Sequence, residues 1–125
     1  MSNPYETETS LQEYLLFHYG TKEDVLPYDF GPATALEFPI RTVALVDRDR
    51  LGPTARALDL GCSVGRSAFE LAKFSHSVVG IDYSASFIRA ATTLKDHGEL
   101  SFVACDEGAR MRPVVARVPS DVERA

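Results

Sequence analysis

Residues 57–66 read ALDLGCSVGR, and this stretch decides the fold class. A short apolar run ends at the acid Asp59 and is followed by two glycines, Gly61 and Gly65. Residues 67–74 then carry small and apolar side chains at helical spacing. A strand that enters a glycine-bearing turn and then a helix is typical of nucleotide-binding α/β domains, where glycine allows a sharp turn with no Cβ against the ligand.

A second strand and helix follow this turn. Residues 77–82 read SVVGID, a β-branched run that ends in Asp82, and Ser84 or Ser86 can cap a helix after it. Strand, loop, helix, strand and helix form one βαβα unit, which predicts a parallel sheet with a right-handed crossover. In residues 99–118 the apolar residues alternate with polar ones, so we expect a β-hairpin whose second arm, with its proline, lies at an edge.

The N-terminal part predicts short helices. Residues 1–9 have the composition of a mobile tail. Ser10 and Glu13 form a capping-box pattern, which predicts a helix that ends at Gly20, and Pro39 suits the first turn of another helix. We therefore divide the chain into a helical cap on the substrate side, a cofactor-binding βαβα unit, and a β-hairpin with a truncated end, over residues 1–54, 55–98 and 99–125.

The composition excludes several classes of protein. The 125 residues are 45% hydrophobic and 25% charged, as in one globular domain, and the net charge of −5 argues against nucleic-acid binding by bulk charge. The first 40 residues carry seven acids and one base, Lys22. Without an apolar leader or an 18-residue apolar run, we expect no secretion signal, no membrane partner and a cytoplasmic location.

The two cysteines, Cys62 and Cys105, exclude a disulfide framework by their number. They show no metal-ligand spacing with the three histidines, so we expect no metal. Cys62 is interpreted as a small residue of the glycine loop, and Cys105 and His97 as structural.

The glycine spacing disfavours a dinucleotide. A dinucleotide fingerprint that starts at Gly61 needs glycine at positions 63 and 66, where this chain has Ser63 and Arg66. The Gly-Lys-Ser/Thr of a phosphate-binding P-loop is absent from the sequence as well. A small dinucleotide-binding protein is therefore the weaker alternative.

The acids around the loop favour S-adenosylmethionine, which carries an ammonium and a ribose but no phosphate. Asp59 lies two residues before the first glycine and suits the ammonium. Asp82, 23 residues later, suits the two ribose hydroxyls at the end of the next strand. Tyr83 follows at a place where an aromatic ring could pack on adenine.

Four segments carry a resemblance to a known family. They read EYLLFHYG, LPYDFGPATALEFPIR, DLGCSVGRSAFELAKF and VVGIDYSASFIRAATTLKDHGEL. The last two resemble the first motifs of class I S-adenosylmethionine-dependent methyltransferases. Together the four resemble the C-terminal methyltransferase domains of ovothiol biosynthesis enzymes, the 4-mercaptohistidine N1-methyltransferases, which in the other imidazole numbering act on 5-thiohistidine.

This resemblance covers nearly the whole chain but only the N-terminal half of such a domain. It implies an α/β, Rossmann-like class I methyltransferase fold that is incomplete, with N-terminal helices, one βαβα unit and a β-hairpin. It also implies methyl transfer from S-adenosylmethionine to an imidazole nitrogen of a small thiohistidine-like substrate. The residues that would hold the cofactor are Asp59, Gly61, Cys62, Ser63, Gly65, Asp82 and Tyr83.

The candidate substrate-side residues lie in the N-terminal segment. Tyr14 or Tyr19 could hydrogen-bond the imidazole, His18 could act as a base, and Arg41 could bind an amino-acid carboxylate. Each also has a plain structural interpretation, as a packing ring, a buried structural histidine or a solvated charge. A half sheet further predicts an exposed strand edge and an uncovered apolar face. The other alternative is therefore a methyltransferase fragment that is inactive, or that needs a second chain or a C-terminal half, and that acts as a binding module.

Overall fold

The computed structural model describes residues 2–125, which form five α-helices and four β-strands joined by short turns. The helices are α1 (Glu8–Tyr19), α2 (Lys22–Val25), α3 (Phe38–Ala44), α4 (Arg66–Ala72) and α5 (Ala85–His97). The strands are β1 (Arg56–Leu60), β2 (Ser77–Ile81), β3 (Glu99–Glu107) and β4 (Arg110–Arg117), and 3-10 turns lie at Pro4–Glu6, Ala33–Ala35 and Arg48–Arg50.

Strands β1 and β2 form a parallel pair, and α4 is the helix that connects them. Leu58 lies opposite Val79 and Leu60 opposite Ile81. Helix α5 follows β2, is capped by the Ser84 side chain and ends at Gly98 in the left-handed conformation. This arrangement is compatible with an incomplete α/β Rossmann-like fold.

Strands β3 and β4 form a separate antiparallel hairpin. Phe102 lies opposite Val114, and Gly108 takes a φ of +56° in the turn. Neither arm pairs with another strand within residues 2–125, so Pro113 sits on an edge strand, where its missing N–H is tolerated.

The core lies between α1, α5 and the hairpin. Helix α1 contributes Leu15 and α5 contributes Phe87 and Leu94, each at most 2% exposed. The hairpin closes the core with the small, fully buried Ala116. The other members of this cluster are Tyr19, Val64, Phe69, Ala90, Val118 and Val122.

The N-terminal residues are ordered by contacts with α5, which corrects the expectation of a mobile tail. The Ser84 hydroxyl donates to the Tyr5 carbonyl over 3.0 Å, and the Ser86 N–H donates to the Glu6 carboxylate over 3.2 Å. Helix α1 also begins earlier than the Ser10 capping box predicts, because the Thr7 side chain accepts the Ser10 N–H and caps it.

The parallel pair is covered on one face only. Leu58, Leu60, Val79 and Ile81 are 57%, 73%, 48% and 51% exposed. They share a face because side chains alternate along a strand and these residues lie opposite each other in register. The sheet therefore presents an open apolar face. No helix within residues 2–125 is long and apolar enough to cross a membrane.

Gly65 brings α4 close to α5. A Cβ at this position would lie 3.1 Å from the Ala91 Cβ, and the backbone has a φ of +87°. The nearest atom outside α4 thus belongs to α5. Two separate constraints, backbone conformation and space, thus require glycine here.

Changing Gly65 to Ala should separate these two constraints when compared with Gly108→Ala. Gly108 also has a positive φ, but a Cβ there meets nothing within 4 Å. We expect Gly108→Ala to lower the free energy of unfolding by about 1 kcal/mol and Gly65→Ala by a further 1–2 kcal/mol or so. If denaturant titrations gave the same loss in the free energy of unfolding for both variants, the α4–α5 contact would not be tight.

The hairpin holds the N-terminal segment through Arg112. Its guanidinium lies 3.1 Å from Asp24 Oδ1 and also donates to the Asp24 carbonyl. Nearer the turn, the Tyr28 hydroxyl donates to Glu107 over 2.7 Å. Burial opposes the charge of Asp24, but hydrogen bonds from Thr21 and Arg112 outweigh it and lower the pKa of this carboxyl.

Changing Arg112 to Gln should lower the free energy of unfolding at neutral pH by about 0.5–1 kcal/mol, because a partly buried ion pair is lost. A carboxyl with a lowered pKa stabilises the fold above its ordinary pKa of about 3.9 and loses that effect as the pH falls. The difference between the two proteins should therefore shrink below about pH 4. Arg110→Gln, at a 76% exposed side chain, is the control, and an equal effect there would contradict the assignment.

Candidate functional site

The glycine loop lies across the carboxyl ends of β1 and β2. The N–H groups of Gly61 and Cys62 both donate to the Ile81 carbonyl, over 2.8 and 3.0 Å. Gly61 has a φ of +75°, and a Cβ there would meet nothing within 4 Å. The loop thus lies directly on the end of β2 and leaves open space above Gly61.

Asp82 fixes the loop to the start of α5. Its Oδ2 accepts the Ser63 N–H and its Oδ1 accepts the Ser84 N–H, both over 2.8 Å. Ser63 takes a φ of +50°, a conformation that non-glycine residues rarely adopt and that this hydrogen bond helps to hold. Each carboxylate oxygen keeps a further lone pair for a ligand hydroxyl.

Asp59 is the carboxylate of this site without a full set of partners. Its Oδ2 is buried and has no hydrogen-bond partner among residues 2–125. Burial, and then the nearby charge of Asp82, raise the pKa of Asp59 above its ordinary value. A buried acceptor in this state favours a cationic, hydrogen-donating ligand.

A cavity of about 420 Å³ opens beside these groups, and we call it the cofactor crevice. It combines the loop with side chains from α1 and α3. The residues that line it are Asp59, Gly61, Cys62, Ser63, Ser67, Tyr14, Phe17, His18, Phe38, Pro39 and Thr42.

Other predicted cofactor residues lie at the margin of the crevice or outside it. Asp82 touches it through Ser63 only, and Gly65 faces α5. Tyr83 is 90% exposed and does not line the crevice. Cys62 lines it with a buried thiol, and burial together with Asp59 and Asp82 raises its pKa to about 11, so the thiol stays protonated at neutral pH.

A larger cavity of about 590 Å³ lies next to the crevice, and we call it the acceptor cavity. It is enclosed by the end of α1, by α2 and by the start of α3. Phe17 and His18 line both cavities, so these two side chains form the wall between them.

His18 is a neutral imidazole at this wall. Its Nδ1 is buried and has no partner among residues 2–125. Burial, and then the nearby charge of Arg66, lower the pKa of His18 to about 4. The ring packs against Tyr14 at 5.6 Å between centroids. A neutral ring can donate or accept a hydrogen bond without adding charge to the site.

The remaining substrate-side candidates differ in whether their polar groups are already hydrogen-bonded within the protein. Tyr14 lines the cofactor crevice and packs on Phe87 in a tilted arrangement, with 4.6 Å between the ring centroids. Tyr19 lines the acceptor cavity, but its hydroxyl donates to the Val64 carbonyl over 2.7 Å, so its hydrogen is not available to a substrate. Arg41 lines the acceptor cavity and donates through Nε to the Leu36 carbonyl over 3.0 Å.

Several residues that line the two cavities were not predicted from the sequence. Arg66 was noted only as a failed glycine position, yet it lines the cavity and lies over the Tyr19 ring at 5.5 Å. Lys22 also lines the cavity, and its isolation among acids was the one available signal. Phe38 and Thr42 line the crevice, and their spacing of four on α3 could have grouped them.

The site suits a cationic ligand end better than a phosphate. The carboxylates of Asp59 and Asp82 are close enough to raise the pKa of Asp59, and together they make the loop region negative. A pyrophosphate at this place would be repelled, whereas an ammonium would supply the donor that Asp59 Oδ2 lacks. The residues therefore fit S-adenosylmethionine and disfavour a dinucleotide.

Comparison with known families agrees with this geometry. Residues 57–113 match a family model described as a methyltransferase domain. The matched segment begins in β1, ends in β4, and includes the glycine loop and Asp82. No curated protein matches the chain. The match supports a class I S-adenosylmethionine-dependent methyltransferase, and it carries no information on the methyl acceptor.

Changing Asp59 to Asn should raise the free energy of unfolding at pH 7, because the fold disfavours the charged form of this residue. Above the folded-state pKa of Asp59, its charge lowers the free energy of unfolding. Below the ordinary pKa of about 3.9 the group is protonated in both states, and this destabilisation is absent. The gain of the variant should therefore grow as the pH rises through the carboxyl range. Asp96→Asn, at an exposed carboxylate on α5, is the control in the same denaturation measurements, and an equal gain there would contradict the assignment.

Proposed function

We propose that the protein transfers the methyl group of S-adenosylmethionine to an imidazole nitrogen of a thiohistidine, the reaction that the resemblance to ovothiol enzymes implies. The observation that carries the methyltransferase part is the unpartnered Oδ2 of Asp59 beside the glycine loop, within the segment that matches the methyltransferase family. The imidazole acceptor rests on the resemblance of residues 13–41 and 59–100.

In this proposal the chain holds the cofactor at two ends. Asp59 accepts hydrogen bonds from the ammonium, and Gly61 leaves room for the methionine portion. Asp82, already fixed by two backbone N–H groups, offers its remaining lone pairs to the ribose hydroxyls. The bound cofactor supplies an activated methyl group, so the protein needs mainly to align the acceptor nitrogen and keep it unprotonated.

The acceptor ring would lie at the wall between the two cavities. His18 is neutral there and can form one hydrogen bond with an imidazole, which fixes the ring tautomer and leaves the other nitrogen unprotonated. Tyr14 supplies an aromatic surface on the crevice side. Arg41 lines the acceptor cavity and does not line the crevice, so it could bind an amino-acid carboxylate on that side of the wall.

The open apolar face of the β1–β2 pair favours a second candidate function. In that case the chain would be a methyltransferase unit that binds its ligands only when another polypeptide segment covers Leu58, Leu60, Val79 and Ile81. A folded chain that binds no cofactor, together with a gain of binding upon addition of a covering partner, would favour this candidate.

Calorimetric titration with S-adenosylhomocysteine tests the cofactor assignment. We expect saturable binding by the native chain and a loss of about 10- to 150-fold in Asp59→Asn, because one charge-assisted hydrogen bond to the ammonium disappears. The same variant should be more stable than the parent, so its weaker binding cannot be attributed to unfolding. Unchanged affinity in Asp59→Asn, or detectable NAD binding in its place, would show that the loop has been misread.

Incubation with S-adenosylmethionine and 5-thiohistidine then tests the acceptor. We expect N-methylated product, detected by mass spectrometry, and a slower reaction in His18→Phe, which keeps an aromatic ring but forms no hydrogen bond. Cofactor binding without any methylation of thiohistidine would retain the methyltransferase and reject this acceptor.

A further inference from the structure

The acceptor cavity has a charge opposite to that of the protein. Three cationic side chains, Lys22, Arg41 and Arg66, line it together with one carboxylate, Glu37. The whole chain has a net charge of −5, and Lys22 is the one base among the first 40 residues. A cavity that concentrates positive charge within an acidic protein attracts an anionic ligand group selectively.

The three cations differ in how much of their charge is already compensated. Arg66 donates to Glu70 through Nε and Nη2 over 3.2 and 2.9 Å. Arg41 donates to two backbone carbonyls, which leaves its charge unneutralised. Lys22 forms no ion pair within 4.0 Å among residues 2–125.

A contact with the β3–β4 hairpin holds α2, which forms part of the wall of the acceptor cavity. Asp24, in the same short helix as Lys22, is bound by Arg112 of the hairpin, and its side chain also accepts the N–H of Thr21. Helix α2, which carries Lys22, is therefore fixed at its N-terminus by Thr21 and along one side by Arg112. This arrangement limits the entropy that Lys22 would lose on binding a ligand, since only its side chain remains to be ordered.

We propose that the acceptor cavity is the subsite for a carboxylate of the methyl acceptor, with Lys22, Arg41 and Arg66 as its anion-binding groups. The inference rests on the proposed function and adds to it that Lys22 and Arg66 act with Arg41 in holding the carboxylate. An acceptor whose ring reaches the wall at His18 places its carboxylate on the side of the cavity away from the cofactor crevice. Acceptors without an anionic group would leave the charges of Lys22 and Arg41 uncompensated, whereas Arg66 keeps its ion pair with Glu70.

Matched pairs of ligands test this subsite without requiring turnover. Each pair consists of a carboxylate and its decarboxylated amine: 5-thiohistidine and 5-thiohistamine, L-histidine and histamine, L-tyrosine and tyramine. Binding is measured by calorimetry in saturating S-adenosylhomocysteine. We expect the carboxylate member of the thiohistidine pair to bind at least tenfold more tightly, and a rise in salt to weaken that member more than the amine.

Variants of Lys22 test whether the preference for carboxylate ligands arises in this cavity. Lys22→Gln should weaken the carboxylate ligand about three- to tenfold and leave the amine unchanged, whereas Lys22→Arg should retain most of the affinity. Arg89→Gln, an exposed cation on α5 outside both cavities, should change neither ligand. Since Lys22 is exposed, these variants should fold as the parent does.

Three outcomes would overturn the inference: no carboxylate preference in any pair, an equal loss of both members in Lys22→Gln, or no binding of any carboxylate in the panel. The failure of the proposed function looks different. In that case the L-tyrosine or L-histidine pair would show the preference and the dependence on Lys22, while thiohistidine would neither bind nor be methylated.

Discussion

The carboxylate of Asp82 accepts two backbone N–H groups, and the arrangement of the site depends on this pair of hydrogen bonds. One comes from Ser63 in the glycine loop and the other from Ser84 at the start of α5. Together they join the end of β1, the end of β2 and the beginning of the next helix. Because the loop is fixed in this way, Ser63 holds a left-handed backbone and Asp59 faces a defined crevice.

The same arrangement explains why two nearby carboxylates differ in character. Asp82 accepts two backbone N–H groups and holds the loop against the start of α5. Asp59 lies on the crevice side with one oxygen buried and unpartnered, and its charge is disfavoured until a cation arrives. A pair of acids with these two environments separates the structural task from the binding task.

Much of this could be predicted from local sequence. The parallel unit, the Ser84 cap and the hairpin follow from spacing, turn residues and alternation, which depend on a few neighbouring residues. The acceptor cavity could not be predicted in the same way, because Lys22 and Arg66 are far apart in the sequence and line the same cavity only in the folded protein. The mobile-tail prediction was wrong for residues 2–9, because Ser84 and Ser86, about 80 residues later, supply the partners of Tyr5 and Glu6; residue 1 lies outside the described residues.

The contact between Arg112 and Asp24 also has a kinetic consequence. It joins residues 88 apart in the chain, so the wall of the acceptor cavity closes a long loop. Closing a long loop costs more chain entropy than forming the adjacent turns of the βαβα unit, and contacts of this kind form late in folding. The βαβα unit with its glycine loop should thus assemble first, before α1 and α3 complete the crevice. The side of the larger cavity should also open more readily in the native state, which gives a ligand a route into that cavity while the glycine loop stays in place.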